Sequence, residues 1–252
     1  MKNMTISIII ATYNASKTLQ RCLDSIVPQL TDETELILVD GGSKDNTNEI
    51  IDSYGDKIAV HISEPDKGIY DAWNKGVKAA HGKFVAFIGA DDQMLPEAIR
   101  HYLDFFDKHG TNFDLVCGKL YFVNSHGQIL RKVGEPWDWK KHCRRKLNFA
   151  HPGMLHNKRL FEKVGYFDLQ YKICADSDFL QRIGPSARGG FINEYLIKMA
   201  QGGMSDGYKA IKEGYLSRKK NKCLSPWINV MAHIELTLRY YIGKFLRYII
   251  VH

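Results

Sequence analysis

The sequence lacks a long apolar run and a paired-cysteine motif. No uninterrupted apolar segment approaches the ~18 residues of a membrane span. The apolar run at residues 6–11 is too short for a signal peptide and predicts a buried strand. The five cysteines are scattered without a Cys-x-x-Cys pair, so neither a disulfide framework nor a zinc site is indicated. These absences favour a protein of the reducing cytosol.

Two common nucleotide-binding motifs are also missing. No Gly-x-Gly-x-x-Gly follows the first predicted strand, which argues against a dinucleotide site, and no P-loop sequence exists. There is no internal repeat and no low-complexity tract. The 252 residues are 44% hydrophobic and 25% charged, as expected of a globular protein with one large domain or one domain and an appendage.

Acidic charge is scarce in the second half of the chain. Residues 1–130 carry 12 basic and 18 acidic side chains, whereas residues 131–252 carry 23 and 10. The balance therefore changes from −6 to +13, within a total of +7. Such asymmetry predicts that a large anionic partner meets only the second half, and charge alone does not decide between nucleic acid and an anionic membrane.

The first half alternates apolar strand-like runs with amphipathic helical segments. Strands are predicted at residues 5–11, 35–39, 57–62 and 83–89, and helices near 16–26 (capped by Ser16), 46–54, 69–80 and 96–109. The fourth strand is uniformly apolar, as strands buried on both faces are. This alternation predicts an α/β fold with a doubly wound, mostly parallel sheet.

The second half is less regular. Residues 114–123 and 128–133 predict a hairpin, residues 177–183 a helix and residues 191–201 a strand. Residues 226–252 predict an amphipathic helix, since seven apolar side chains share one face and Arg239, Lys244 and Arg247 lie opposite. The apolar residues are Trp227, Met231, Ile234, Leu238, Ile242, Phe245 and Ile249.

Polar residues gather where the four predicted strands end. Ligands of open α/β sheets bind beyond the carboxyl ends of the strands, so four such ends together predict a nucleotide site. The last end carries Asp91 and Asp92, whose mutual repulsion needs a cation or many hydrogen-bond donors to offset it. A divalent ion held by one or two carboxylates and by substrate phosphates fits this pair. The alternative is that Asp92 caps the helix that follows.

Four segments in register resemble the signatures of family 2 glycosyltransferases, in the version of bacterial enzymes that assemble exopolysaccharide, capsule and lipopolysaccharide. They are Ile-Ile-Ile-Ala-Thr-Tyr-Asn (residues 8–14), Leu-Val-Asp-Gly-Gly-Ser-Lys-Asp-Asn-Thr (38–47), Ser-Glu-Pro-Asp-Lys-Gly-Ile-Tyr-Asp-Ala-Trp-Asn-Lys-Gly (63–76) and Gly-Ala-Asp-Asp (89–92). The resemblance implies a GT-A fold, a nucleotide-sugar donor (usually UDP-linked), a divalent metal (Mn²⁺ or Mg²⁺) and inversion at the anomeric carbon. The family often has a further acid where Gly89 stands, which leaves the roles of Asp91 and Asp92 open.

The same resemblance assigns the donor residues. At the base, Asp40 would accept from the uracil N3–H with Ser43 close by, and the pocket would be lined by Thr12, Tyr13 and Asn14. The residues that would border the nucleotide or the sugar are Asp66, Lys67, Asp71, Asn74 and Lys75. Asp91 would reach the ribose or the sugar, and Asp92 would ligate the metal with Asp91 beside it.

An acid after the metal motif would act as the base. Asp176 lies in a stretch that resembles the family's Glu-Asp-x-Asp region, although Ala175 replaces the first acid. Inverting transfer needs such a carboxylate at the acceptor hydroxyl, and the alternative is that Asp176 caps a helix. Asp178 is expected to cap or to pair with Arg182. By the same resemblance, His151 would contact the acceptor or the diphosphate, and the alternative is a structural histidine. Ser205 would belong to a loop over the diphosphate, and the alternative is a plain turn.

These observations predict a glycosyltransferase that adds one sugar to a surface glycan or a polyprenyl-diphosphate-linked acceptor. Residues 1–205 would form the GT-A domain (1–110 for the donor, 111–205 for the acceptor), and residues 206–252 a basic helical extension. The extension would lie on an anionic membrane surface at the cytoplasmic face, or pack on the domain or a second subunit. No nucleic-acid module is present, so nucleic acid is not expected as a partner. A processive polysaccharide synthase is disfavoured, since the sequence has no predicted membrane span and no Gln-x-x-Arg-Trp motif. The alternative to an enzyme is a non-catalytic nucleotide-sugar-binding or scaffolding protein.

Overall fold

The computed structural model describes residues 4–145, 147–202 and 207–251. Its strands are β1 (Ile6–Thr12), β2 (Thr34–Asp40), β3 (Val60–Ser63), β4 (Phe84–Gly89), β5 (Gln93–Met94), β6 (Leu115–Val123), β7 (Ile129–Val133), β8 (Leu155–Asn157) and β9 (Gly189–Ala200). Its helices are α1 (Leu19–Ile26), α2 (Thr47–Asp52), α3 (Ile69–Ala79), α4 (Ala98–His109), α5 (Trp139–Cys143), α6 (Arg159–Val164), α7 (Ala175–Arg182), α8 (Tyr208–Lys220) and α9 (Pro226–Val251).

The strands form one sheet in the order β3-β2-β1-β4-β8-β6-β9-β5, with β7 paired to β6. The pairs among β1 to β4 are parallel, and so is the long β6–β9 pair. The antiparallel pairs that involve β5, β7 and β8 are shorter. The sheet is therefore mostly parallel, and the carboxyl ends of the first four strands meet at one edge.

Helices cover both faces of the sheet, which confirms the doubly wound α/β fold. Alternate side chains of β1 point to opposite faces: Ile8 packs in one apolar cluster with α1 and α4, and Ile9 packs in the other with α3 and α7. Because both faces are covered, β1, β2 and β4 are buried along almost their whole length. This double burial explains why their sequences are apolar without alternation.

The predicted elements of the first half are present with shifted ends. The first helix begins at Leu19, with Thr18 at its N-cap, so the prediction that Ser16 caps it is wrong. Ser16 instead donates its main-chain N–H to Asp45 of the neighbouring loop (3.1 Å). The third strand begins only at Val60, because residues 55–57 form a 3₁₀ turn.

The sequence pattern did not indicate β5, which follows β4 in the first half, or four elements of the second half, namely α5, β8, α6 and α8. Helix α8 packs on α7, since Ser217 donates to Gln181 Oε1 (2.6 Å) and Asn221 donates to Asp178 Oδ1 (2.8 Å). The residues after 206 therefore begin with a helix fastened to the main body, and the division of the chain into domains stays a prediction.

Helix α9 presents a row of exposed apolar side chains. Trp227 is 81% exposed, and Met231 and Phe245 are each 63% exposed. The helical part of the prediction for residues 226–252 is thus confirmed up to Val251. Among the helices of the described ranges, none combines the length and apolar content that a membrane span requires.

Candidate active site

Asp40 organises the loop after β2. Its carboxylate is fully buried and accepts from the hydroxyls of Thr12 (3.0 Å) and Ser63 (3.1 Å), and from the main-chain N–H groups of Gly42 and Ser43. The Ser43 hydroxyl and Asn48 also donate to it. Burial alone would raise the pKa of Asp40, but these hydrogen bonds lower it below its usual value. Because both oxygens are occupied, a uracil N3–H would have to replace one of these donors.

The residues after β1 complete this loop. Asn14 adopts a left-handed backbone (φ 50°), accepts at Oδ1 from Lys44 N–H (2.9 Å) and donates its own N–H to Ser43 Oγ (2.8 Å). Tyr13 projects outward and is 65% exposed. An exposed aromatic ring at the carboxyl edge of the sheet is able to stack on a flat base.

The loop after β3 is fixed by its own carboxylates. Asp66 accepts from Gly68 N–H (2.8 Å), and Asp71 accepts from Lys67 N–H (3.0 Å) at the start of α3. Lys75 forms an ion pair with Glu64 (2.8 Å) and lies 3.8 Å from Asp71. Asp66 also lies against the loop after β2, because a Cβ on Gly41 would be 2.5 Å from its carboxylate. The two loops therefore form one surface.

Asn74 clamps two distant parts of the chain. Its side-chain amide donates to Phe167 O and accepts from Phe167 N–H, both at 3.0 Å. Asn74 is buried, and both of its polar atoms are engaged by this pairing. The structure thus gives Asn74 a scaffolding contact, and its contact with a donor stays a prediction.

Asp91 and Asp92 follow β4 with their carboxylates close together. A Cβ on Gly89 would lie 2.8 Å from Asp91 Oδ1 and 2.9 Å from Asp92 Oδ2, so both carboxylates face the space that this glycine leaves open. Asp92 is buried and accepts from the main-chain N–H groups of Gly89 (3.2 Å) and Ala200 (3.0 Å). Burial and the charge of Asp91 raise the pKa of Asp92 to about 7. The alternative that Asp92 caps the next helix is wrong, since Glu97 occupies the N-cap position of α4.

This pair suits a divalent ion held partly by substrate. Among the described residues, no three His, Cys, Asp or Glu side chains converge to form a complete cage. Asp91 is exposed, and each Asp92 oxygen accepts a single hydrogen bond from the part of the chain that the structure describes. Mg²⁺ and Mn²⁺ are commonly bound by one or two carboxylates together with phosphate oxygens, and the donor set of Asp91 and Asp92 fits that mode.

Asp176 lies in the first turn of α7 and contacts α3. Its Oδ1 accepts from Ser177 N–H (2.7 Å) and lies 3.0 Å from the Tyr70 hydroxyl, which also lies 2.7 Å from Ile173 O. Burial raises the pKa of Asp176, although the donors Ser177 and Tyr70 act against that rise. The fold thus brings Asp176 to Tyr70 of α3, two residues after the Asp66–Lys67–Gly68 loop. Lys172 strengthens this contact by donating to Lys67 O (3.1 Å).

Glu213 is a site residue that the sequence analysis missed. Its carboxylate, on α8, accepts from the main-chain N–H groups of Lys172 (3.1 Å), Ile173 (2.8 Å) and Cys174 (3.0 Å). These N–H groups belong to the N-cap residue of α7 and the two residues before it, so Glu213 fixes the segment that leads into the helix carrying Asp176. The sequence around Glu213 does not indicate these contacts, because they join residues that are about 40 positions apart in the chain. The expected pair of Asp178 with Arg182 is confirmed at 2.8 Å.

His151 lies in a buried aromatic cluster. Its ring stacks on Trp73 (centroids 5.3 Å apart) and on Phe87 (5.5 Å) and lies 4.8 Å from the ring of His156. Neither ring nitrogen of His151 has a hydrogen-bond partner among the described residues, nor does Trp73 Nε1. Burial lowers the pKa of His151 to about 3, so the ring is neutral. Ser205, the other predicted acceptor or diphosphate residue, lies outside the described residues.

Comparison with known sequences identifies a family. The sequence model described as Glycosyl transferase family 2 matches residues 7–166. A PGL/p-HBAD biosynthesis glycosyltransferase of Mycobacterium tuberculosis (strain ATCC 25177 / H37Ra) is 35% identical over 181 residues, which cover 69% of this chain and 67% of that protein. An uncharacterized glycosyltransferase of Rickettsia prowazekii is 30% identical over 205 residues, which cover 77% of this chain and 63% of that protein.

Solved structures with the same fold confirm the GT-A expectation. Staphylococcus aureus TarS 1-349 in complex with UDP-GlcNAc superimposes with a TM-score of 0.70 at 20% identity, covering 94% of this chain and 73% of that one. The mannosyltransferase PcManGT from Pyrobaculum calidifontis, in complex with GDP-Man and Mn²⁺, gives a TM-score of 0.61 at 15% identity, covering 91% and 68%. This chain spans only 39% of the longer TarS structure.

Proposed function

This chain belongs to glycosyl transferase family 2, and we propose that it transfers a single sugar, with inversion, from a UDP-sugar to a glycan or polyprenyl-diphosphate-linked acceptor in surface polysaccharide synthesis. The proposal rests on the contact between the carboxylate of Asp176 and the hydroxyl of Tyr70, which are about 100 residues apart in the chain. This contact places Asp176 near the loop that follows β3. The UDP-GlcNAc and GDP-Man complexes of the structural neighbours support a nucleotide-sugar donor.

In the proposed site, the nucleotide lies along the edge formed by the ends of β1 to β4. Tyr13 would stack on the base. Asp40 would accept a hydrogen bond from the base once the Ser43 hydroxyl no longer donates to it. Lys67, exposed at the start of α3, would meet the diphosphate or the sugar. The loop contacts of Asp66, Asp71 and Lys75 hold this edge in shape before the donor arrives, which reduces the ordering cost of binding.

Asp91 and Asp92 would hold a divalent cation at the diphosphate. A cation bound there would offset the negative charge that develops on the leaving nucleoside diphosphate. The main-chain N–H groups of Gly89 and Ala200 would keep the Asp92 carboxylate oriented toward this point.

Asp176 would take the proton from the acceptor hydroxyl as that oxygen attacks the anomeric carbon. Burial raises the pKa of Asp176, which brings the carboxylate closer to the basicity that a general base needs. Tyr70 and Ser177 would fix its orientation, and the neutral ring of His151 would border the acceptor. Because the attack occurs opposite the leaving diphosphate, no covalent sugar–enzyme intermediate forms.

The donor part of the proposal is tested with a panel of UDP-sugars. We expect UDP release in the presence of Mn²⁺ by the wild type, and a loss of about 100-fold or more in Asp92→Asn, because electrostatic stabilisation of a leaving group is worth several kcal/mol. Asp107→Asn, which changes a carboxylate on the outer face of α4, serves as the matched control and should keep wild-type turnover. Equal turnover in Asp92→Asn and Asp107→Asn would refute the metal site.

We further propose that α9 lies on the anionic inner surface of the cytoplasmic membrane. The exposed row that includes Trp227, Met231 and Phe245 would enter the headgroup region, and the positive excess of the second half would meet anionic lipid. Leu238→Gln should weaken co-sedimentation with anionic liposomes, whereas Leu130→Gln, a similarly exposed leucine on β7, should not. A dimer that Leu238→Gln dissociates would instead assign the row to a second copy of the chain.

A further inference from the structure

Two guanidinium groups meet beside α8. Arg145 follows α5 with a left-handed backbone (φ 54°), and Arg218 belongs to α8. Their NH1 atoms lie 2.9 Å and 3.3 Å from the point that a Cβ on Gly214 would occupy. A glycine inside a helix is less favourable than an alanine, and here its missing side chain leaves space for both cations.

Arg218 is buried, and no acidic side chain of the described ranges pairs with it. It is 1% exposed, its Nε donates to Asn229 Oδ1 (2.8 Å), and its NH2 has no hydrogen-bond partner among the described residues. Within those residues, no carboxylate lies within 4.0 Å of either guanidinium. Burial and the charge of Arg145 lower the pKa of Arg218 to about 10, so it is still a cation at neutral pH. A buried, unpaired cation is costly, and an external anion would relieve it.

The ionisable groups around Arg218 include three thiols and the ring of His142. Burial raises the pKa of Cys174 to about 12, and a hydrogen bond with Cys223 raises the pKa of Cys143, so both are neutral. Cys223 has a lowered pKa because Cys143 donates to it and Arg218 lies nearby. Burial lowers the pKa of His142 to about 4, so its ring is neutral. The charge of Arg145 also acts on the carboxylate of Asp176, but the hydrogen bonds of that carboxylate go to Ser177 N–H and the Tyr70 hydroxyl rather than to a guanidinium.

The pair of guanidinium groups adjoins the proposed base. The Arg145 guanidinium lies near the thiol of Cys174, two residues before Asp176, and its charge acts to lower the pKa values of both groups. Arg145 is itself exposed, so a ligand arriving from solvent can reach it. An anion held here would lie beside the hydroxyl that Asp176 is proposed to deprotonate.

We propose that Arg145 and Arg218 form a subsite for a phosphate group of the acceptor substrate. Guanidinium groups present a planar fork of N–H donors that matches phosphate oxygens, and two of them offset the charge of a dianion. The assignment to the acceptor rests on the proposed role of Asp176. The diphosphate of the donor offers the same chemistry, so the experiment separates the two sources.

The test is thermal unfolding of the full chain in increasing inorganic phosphate, compared with sodium chloride of equal ionic strength. A bound ligand raises the Tm as its concentration exceeds its Kd. We expect the phosphate-dependent rise in the wild type and in Arg144→Gln, an exposed cation of the same segment. In Arg145→Gln the apparent affinity should fall at least about tenfold, because a charge-assisted hydrogen bond to phosphate is lost. Arg218→Met should abolish the phosphate-dependent rise.

Saturating UDP distinguishes the two phosphate sources. The acceptor assignment predicts that the phosphate-dependent rise persists with UDP bound and that Arg145→Gln binds UDP as the wild type does. Loss of the rise in UDP would assign the two cations to the donor and overturn this assignment. A wild type that responds equally to phosphate and chloride, or an Arg145→Gln that responds as the wild type does, would refute the subsite itself. Failure of the proposed function appears separately, as an absence of UDP binding and release.

Discussion

Removing the Tyr70 hydroxyl should change the pH dependence of transfer. That hydroxyl lies 3.0 Å from Asp176 Oδ1 and 2.7 Å from Ile173 O, so its one proton is shared between two acceptors. The hydrogen bond acts to lower the pKa of Asp176, against the larger effect of burial. In Tyr70→Phe burial acts with less opposition, and the pKa of Asp176 should rise further.

The size and sign of the effect follow from the base role. A shared hydrogen bond to a carboxylate is worth about 1 kcal/mol, which corresponds to roughly a fivefold change in an equilibrium. Because the base acts when deprotonated, Tyr70→Phe should be about fivefold slower than the wild type on the acid side of the pH–rate profile. At pH values well above both pKa values, the two rates should converge.

A matched control separates this effect from lost stability. The Tyr54 hydroxyl likewise lies near a carboxylate and a main-chain carbonyl, 2.7 Å from Asp24 Oδ1 and 3.3 Å from Gln20 O, but far from Asp176 in sequence and fold. Tyr54→Phe should therefore leave the pH–rate profile unchanged. Kinetic assays of UDP release across pH measure both variants, and superimposable profiles for wild type and Tyr70→Phe would refute the assignment of Asp176 as the base.

Two further predictions concern stability. Glu35 accepts from Ser7 Oγ (2.6 Å) and His81 N–H (2.6 Å), and these bonds lower the pKa of Glu35 although burial acts to raise it. Glu35→Gln should therefore lower the free energy of unfolding by about 1–3 kcal/mol at pH 7. In urea unfolding, the difference in this free energy between wild type and variant should shrink as the pH falls through the lowered pKa. A gap that stays constant with pH would contradict this. Gly76→Ala should destabilise the protein by about 1–3 kcal/mol, because its Cβ would lie 2.4 Å from Ile9 Cγ2. Gly243→Ala, on α9 with open space around it, should be neutral or slightly stabilising; equal Tm values for the two alanine variants would contradict the packing argument.

The parallel half of the fold was predictable because its signals are local. Strands buried on both faces are apolar throughout, and the polar residues that follow each strand mark its end. Strand β8 gave no such signal, since its three residues become a strand only through pairing with β4 and β6. Helix α8 was missed because it is rich in lysine and its buried residues include Ser217 and Arg218, which sequence patterns do not identify as core.

The meeting of the four strand ends at one edge of the sheet was predictable, and the contacts between the side chains there were less so. The motifs correctly indicated which segments meet at the edge of the sheet, but the hydrogen-bond partners are distant in sequence. Asn74 pairs with Phe167, and Glu213 fixes the segment that leads into the helix of Asp176. Both contacts depend on how the second half folds back on the first, which no local pattern encodes.

The most direct test of the account compares donor binding with turnover in Asp176→Asn. Calorimetry would give the Kd of the preferred UDP-sugar, and UDP release in the presence of acceptor would give the rate. We expect an unchanged Kd and a rate that falls about 10²- to 10⁴-fold, the usual contribution of a general base. Wild-type turnover in Asp176→Asn would contradict the claim that this carboxylate deprotonates the acceptor.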